Sequence, residues 1–250
     1  MRVAIVGASG QIGGDVAARL RERAVDVVAA HRAAGVDAYT GDGLADALSG
    51  ADVVVDCVNV TTQRAKTAID FFGTVAGNIA GAAADAKVDR VICLSIINAA
   101  NPAVNAKFGY YQGKAAAERV YQDAIGDRLT LVRSAQWYEL AQQMMGMMRL
   151  GPVAVVPHMR CQPLSVADAA TALADAVTSP PAGDIAVAGP EVCDLTEVAR
   201  AIAARTGSPR KVFGVNFGGA AIRNGGLVPE RPDVIAPTTL AEWIEKVYPA

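Results

Sequence analysis

Hydrophobic residues fall in short unbroken runs through the first half of the chain. Arg2–Val6, Val25–Ala30, Asp52–Asn59, Arg90–Ser95 and Leu129–Arg133 are apolar at nearly every position, not at every second one. Runs of that length without alternation fit strands covered on both faces, as in a parallel sheet sandwiched between helices. Between them lie helical stretches at Gln11–Arg23, Ala65–Ala86 and Tyr111–Ala124. This β-α-β rhythm predicts an α/β fold with a doubly wound parallel sheet.

The second half is less regular. A methionine cluster (Met144, Met145, Met147, Met148) follows the fifth strand, and a short apolar run, Val153–Val156, precedes Pro157-His158. Ser165 and Asp168 have the spacing of a capping box that opens a helix through Val177, and Asp194 to Glu197 opens another that stops at Gly207. Gly- and Pro-rich loops follow, then a closing helix at Leu240–Val247. The organisation expected is a nucleotide-binding domain over 1–135 with a return segment at about 165–190, and a small C-terminal substrate-binding portion from 136–164 and 190–250.

Composition narrows the function classes. Of 250 residues 52% are apolar, but no uninterrupted stretch approaches the length that crosses a bilayer, so a membrane role is not expected. A net charge of −2 offers no basic footprint for nucleic acid. Cys57, Cys93, Cys161 and Cys193 are widely spaced and contain no C-x-x-C pair, which favours buried thiols over zinc or a disulfide framework. His31 and His158 are the only histidines and have no clustered carboxylates, so no metal site is expected. The apolar start is too short for a signal peptide and is broken at Gly7, which makes the cytoplasm the expected compartment.

The richest motif is Gly7-Ala8-Ser9-Gly10-Gln11-Ile12-Gly13, placed directly between a strand and a helix. In that position Gly7 permits the tight turn, Gly10 lets the backbone approach a pyrophosphate, and Gly13 allows helix to pack on strand. The helix start adds free N–H groups and the positive end of its dipole. Gly7, Ser9, Gly10, Gln11, Ile12 and Gly13 are therefore expected around a dinucleotide. The end of the second strand reads Ala29-Ala30-His31-Arg32, without the carboxylate that binds the ribose hydroxyls of NAD(H). Arg32 can instead pair with a 2′-phosphate, which favours NADP(H) over NAD(H) and puts His31 in the same loop.

Taken together, the chain resembles a short-chain dehydrogenase/reductase with a Rossmann fold, of the extended or atypical branch and close to the NmrA-like group. The resemblance rests on the Gly7–Gly13 loop, Gly41-Asp42-Gly43 after a third strand, Asp52–Asn59 as a fourth, Leu94-Ser95 closing a fifth, and Tyr110-Tyr111-Gln112-Gly113-Lys114. It continues through Gln162–Asp168 and Thr238–Trp243. It implies that Asp42 lies near the adenine and that Val58 and Asn59 line the ribose side. It also implies that Lys114 holds the nicotinamide ribose, and that the catalytic set is Tyr110, Lys114 and Ser95.

The Tyr110–Lys114 spacing makes chemical sense on its own. Four residues apart at a helix start they share a face, and an ammonium beside a phenol favours the phenolate. The pair can donate a proton to a carbonyl while NADPH delivers hydride; the alternative is that Tyr110 only packs. One departure stands out. The family's Ser or Thr stands one or two residues past Ser95, where this chain has Ile96 and Ile97, leaving Ser95 or Asn98 to substitute. Gln136, Trp137, Met144 and His158 are the substrate-pocket candidates, with the methionines forming either an apolar wall or ordinary helix packing. The reading favoured is an NADP(H)-dependent reductase of a small, apolar carbonyl, quinone or conjugated compound, acting as a monomer or homodimer. A redox sensor that binds the dinucleotide without turnover, and a sugar-type epimerase or dehydratase, stay open beside it.

Overall fold

Strands with no polar face need cover above and below, and the chain supplies it by alternating with helices. The computed structural model describes Met1–Pro249. It begins β1 (Arg2–Val6), α1 (Gln11–Glu22), β2 (Asp26–Ala30), α2 (Leu44–Leu48), β3 (Val53–Asp56), α3 (Ala65–Asp85), β4 (Arg90–Ile96), α4 (Pro102–Asn105), α5 (Gly109–Ile125) and β5 (Leu129–Ser134). It continues α6 (Tyr138–Met147), β6 (Arg149–Leu150), β7 (Val153–Pro157), β8 (Arg160–Cys161), α7 (Val166–Thr178), β9 (Ile185–Ala188) and β10 (Cys193–Asp194). The last elements are α8 (Leu195–Thr206), β11 (Lys211–Val215), α9 (Ala220–Arg223), β12 (Val234–Ile235) and α10 (Leu240–Val247). Seven strands form one parallel sheet in the order β12-β9-β5-β4-β3-β1-β2, the topology of a Rossmann fold.

The chain divides into two compact units: Met1–Arg133 with Ala170–Ile185, and Ser134–Ala169 with the residues from Ala186 onward. In the first, β1 is flanked on both sides in parallel register, Val3 facing Val27 of β2 and Val53 of β3. Val3, Ala4, Ile5, Val54, Val55, Val91 and Ile92 have no exposed surface. Helices α3 and α5 pack closely because Gly113 carries no side chain: a Cβ there would sit 2.6 Å from the Phe72 ring and 2.7 Å from the Ala68 carbonyl oxygen.

Two elements differ from the sequence expectation. The third run was expected to continue to Asn59, but β3 ends at Asp56. The Asp56 carboxylate accepts the Val58 N–H at 2.8 Å and turns the chain out of the strand, across the glycine loop. The strand expected before Gly41 is absent as well. Only an isolated antiparallel bridge, Asp37 to Asp42, forms there, so Asp52–Asn59 supplies the third strand and not the fourth, and β2 is last in the sheet. Left-handed Gly35, Gly41 and Gly43, all at positive φ, coil the segment instead of extending it.

The second unit holds a three-stranded sheet, β11-β7-β6, and the antiparallel pair β10-β8. Three of its helix starts are capped by side chains, whereas α6 and α9 begin without such a cap. Ser165 Oγ accepts from Asp168 N at 3.0 Å ahead of α7, Asp194 caps α8, and Thr239 with Glu242 forms a full capping box on α10. Among the described residues no helix is long and apolar enough to cross a membrane.

Candidate functional site

The turn from β1 into α1 brings main chain close against main chain. Gly7 takes φ +85°, and a Cβ there would lie 2.9 Å from the backbone of Cys57, just past the end of β3. At Gly13 a Cβ would run into the Gly7 carbonyl, so its lack of a side chain serves helix-on-strand packing. Gly10 is the N-cap of α1 without a side-chain cap, and the first turn contains no acidic residue. The N–H groups at that helix end are therefore free to meet an anion.

Around this turn the first unit forms a cavity of about 470 Å³, lined among others by Gly7, Ser9, Gly10, His31, Arg32, Val58 and Asn59. These expected residues, drawn from three separate loops, meet in one place. Gln11 is exposed at the helix start while Ile12 and Gly13 are buried beneath it, and none of the three lines the cavity. His31 has a buried Nδ1 with no hydrogen-bond partner among the described residues, a polar atom a bound group would satisfy.

Asp42 does not reach the cavity. It is exposed and accepts from the Thr40 hydroxyl at 2.7 Å, held there by the Asp37–Asp42 bridge. Asp37, Tyr39 and Phe71 occupy that wall instead, with the Tyr39 and Phe71 rings stacked at 5.5 Å and the Tyr39 hydroxyl donating to Asp70 at 2.7 Å. Sequence reasoning missed this group, because only the coil of residues 35–43 brings residue 39 beside residue 71.

Tyr110 and Lys114 share a face of α5. The Tyr110 hydroxyl donates to Asn59 Oδ1 at 2.7 Å, and its ring meets Phe72 edge-on with centroids 5.6 Å apart. Lys114 is only 6% exposed; its Nζ donates to the Leu94 carbonyl at 3.0 Å and lies 4.6 Å from the centre of the Phe72 ring. Burial opposes its ammonium, but the negative charge that Tyr110, Cys93, Asp56 and Cys57 can carry outweighs it and leaves the lysine pKa raised. Of those four, Asp56 is the carboxylate, and it was not singled out in the sequence. It is 6% exposed, with Oδ1 on Val58 N and Oδ2 accepting from the Tyr121 hydroxyl at 2.9 Å. Burial pushes Asp56 upward, while Lys114 and these two hydrogen bonds pull the other way. Burial, with Asp56 behind it, also pushes the adjacent Cys57 thiol up to about 12.

Ser95 belongs elsewhere. It is 1% exposed and donates to Glu118, which in turn is ion-paired at 3.1 Å with Arg133. That hydroxyl is committed to a buried network and does not serve Tyr110. Asn98, the other substitute, takes a left-handed backbone with φ 57°. In the second unit, Gln136 is buried, Trp137 Nε1 donates to Ser134 Oγ at 2.9 Å, and Met144 is half-buried on α6. His158 Nδ1 lies 3.3 Å from Asp194 Oδ1, and its ring packs against Gly214.

No protein-family model matches the chain, and no curated protein matches it in sequence. Solved structures do match in fold. A UDP-N-acetylglucosamine 4-epimerase from Bacillus cereus is 17% identical with a TM-score of 0.72, over 99% of this chain and 95% of that one. A short-chain dehydrogenase/reductase superfamily protein from Agrobacterium tumefaciens with bound NAD is 16% identical with a TM-score of 0.71, over 99% and 96%. An NADPH-dependent quinone oxidoreductase from Escherichia coli, complexed with NADPH, is 19% identical with a TM-score of 0.69, over 98% and 99%. At these identities the likeness establishes a shared Rossmann-type architecture across nearly the whole chain.

Proposed function

We propose that the protein is an NADP(H)-dependent reductase of the short-chain dehydrogenase/reductase type, acting on a small carbonyl, quinone or conjugated compound. The observation that carries the dinucleotide is the cavity shared by the glycine turn and the His31–Arg32 loop. Backbone N–H groups at the start of α1 would hold the pyrophosphate, and the Arg32 guanidinium would pair with the 2′-phosphate. When bound, the reduced nicotinamide supplies a hydride to the substrate carbon. Tyr110 gives the proton to the oxygen, and the Lys114 ammonium stabilises the phenolate left behind. Gln136, Trp137, Met144 and His158 of the second unit are the proposed substrate-side groups, and the protein is read as cytoplasmic, a monomer or homodimer.

The reading is tested by titrating NADPH and NADH by fluorescence and assaying a carbonyl and quinone panel. Tyr110→Phe is expected to lower turnover by about 10²- to 10⁴-fold with NADPH binding retained. Arg32→Ala is expected to weaken NADPH by about tenfold and leave NADH alone, the scale of one charge-assisted contact. Full turnover in Tyr110→Phe removes that residue from the mechanism. Ile96 and Ile97 favour a second reading, a redox sensor, which tight NADPH binding without turnover would select. Bound dinucleotide regenerated without net oxidation would select the epimerase.

A further inference from the structure

A tyrosine acid benefits from a second hydrogen-bonding group that holds its hydroxyl and steadies the substrate oxygen as charge develops there. The sequence offers none at the expected place, where Ile96 and Ile97 stand, and the Ser95 hydroxyl is spent on Glu118. Tyr110 is nevertheless not alone: Asn59 Oδ1 accepts its hydroxyl at 2.7 Å.

Asn59 follows β3 at the point where the Asp56 turn brings the chain across the glycine loop, and it lines the cavity beside Gly7 and Val58. It is exposed, and its amide nitrogen donates no hydrogen bond among the described residues. A side-chain amide carries an acceptor and a two-hydrogen donor on one rigid plane. With the oxygen fixed by Tyr110, the free donor lies next to the phenol that would protonate a substrate.

We infer that Asn59 takes the place of the missing hydroxyl: Oδ1 positions the Tyr110 proton in the free protein, and Nδ2 donates to the oxygen of a bound carbonyl substrate. This rests on the reductase reading and names its oxyanion donor. The balance is simple. The Tyr110 O–H bond breaks and an O–H bond forms on the substrate oxygen. The electron pair stays on the phenol oxygen beside Lys114, and the reduced dinucleotide delivers hydride to the carbon and is oxidised. Asn59 neither gains nor loses a proton.

Asn59→Ala and Asn59→Ser decide the matter, with NADPH affinity measured beside steady-state kinetics on the most active carbonyl of the panel. At saturating NADPH, Asn59→Ala is expected to lower kcat about 10²- to 10³-fold, as loss of one oxyanion donor does, a far larger effect than its weakening of NADPH binding. Asn59→Ser, which also accepts and donates, is expected to recover part of that loss. An unchanged kcat, or a loss matched by an equal loss of NADPH affinity, overturns the inference, since Asn59 would then be no more than a dinucleotide contact.

Failure of the reductase reading shows differently, as a wild-type protein that reduces nothing on the panel. The Asn59 side-chain amide is then followed by nitrogen-15 NMR, its signal assigned from Asn59→Ala. It is expected to move in Tyr110→Phe, and to move again when a carbonyl compound joins the NADP⁺-saturated protein. A signal that ignores Tyr110→Phe, or ignores the carbonyl, overturns the inference whether or not the protein is an enzyme.

Discussion

Asp56 and Lys114 are two opposite charges in the interior of the first unit, each 6% exposed. Their anchors lie close in the sheet: Asp56 faces Cys93 across the β3–β4 register, and the Lys114 ammonium bonds the carbonyl of Leu94, the next residue. Removing one charge leaves the other buried with only its hydrogen bonds to offset the lost hydration, which destabilises the fold, whereas removing both costs less. Asp56→Asn and Lys114→Met should therefore each destabilise strongly in urea titrations, and the double variant should recover most of the loss; simple additivity would refute the pairing. The pH dependence has opposite signs. With Asp56 neutral, the lysine loses one of the charges that offset its burial and its pKa falls, so the deficit is full at neutral pH and shrinks as pH rises through the lysine range near 10.4. With Lys114 gone, burial raises the carboxyl still further, so that deficit is least at acid pH and grows as pH rises. Nothing in the sequence marked Asp56, because it sits in a run of valines and its meaning comes from a residue 58 positions later.

At the level of elements, the sequence is most legible where both faces of a strand are covered. The bounds expected for β1 are those observed, as are those of α10, since hydrophobic runs and capping residues are local signals. The end of β3 was not legible. Whether the chain continued to Asn59 depended on a single carboxylate–amide hydrogen bond inside an apolar run. The coil over residues 35–43 was hidden for a similar reason, in that its glycines looked like the flank of a strand. Among the residues that line the cavity, the glycine turn, His31, Arg32, Val58 and Asn59 were legible from motif and position, whereas the places of Asp42 and Ser95 were set by side-chain partners. The α3–α5 contact gives a direct test. Gly113→Ala puts a methyl group against Phe72 and the Ala68 carbonyl, and overpacking of this kind should cost about 1–3 kcal/mol. A denaturation midpoint equal to that of wild type would mean the helices part more easily than their spacing suggests.

For the molecule as a whole, a ligand that binds only the folded chain must stabilise it. NADPH at a hundred times its dissociation constant should add about 2.7 kcal/mol to unfolding, read as an upward shift of the thermal midpoint. A midpoint indifferent to NADPH would count against the cavity as its seat. The lost strand before Gly41 has its own consequence. It leaves β2 as the last rung of the sheet, with one flank of main-chain amides and carbonyls not taken up by a neighbouring strand. Such a flank can template a foreign extended chain. Here the opportunity is small, because the rung is five residues long and begins with the charge of Asp26. A fold that discards a strand can stay monodisperse by keeping its new border short and ionised.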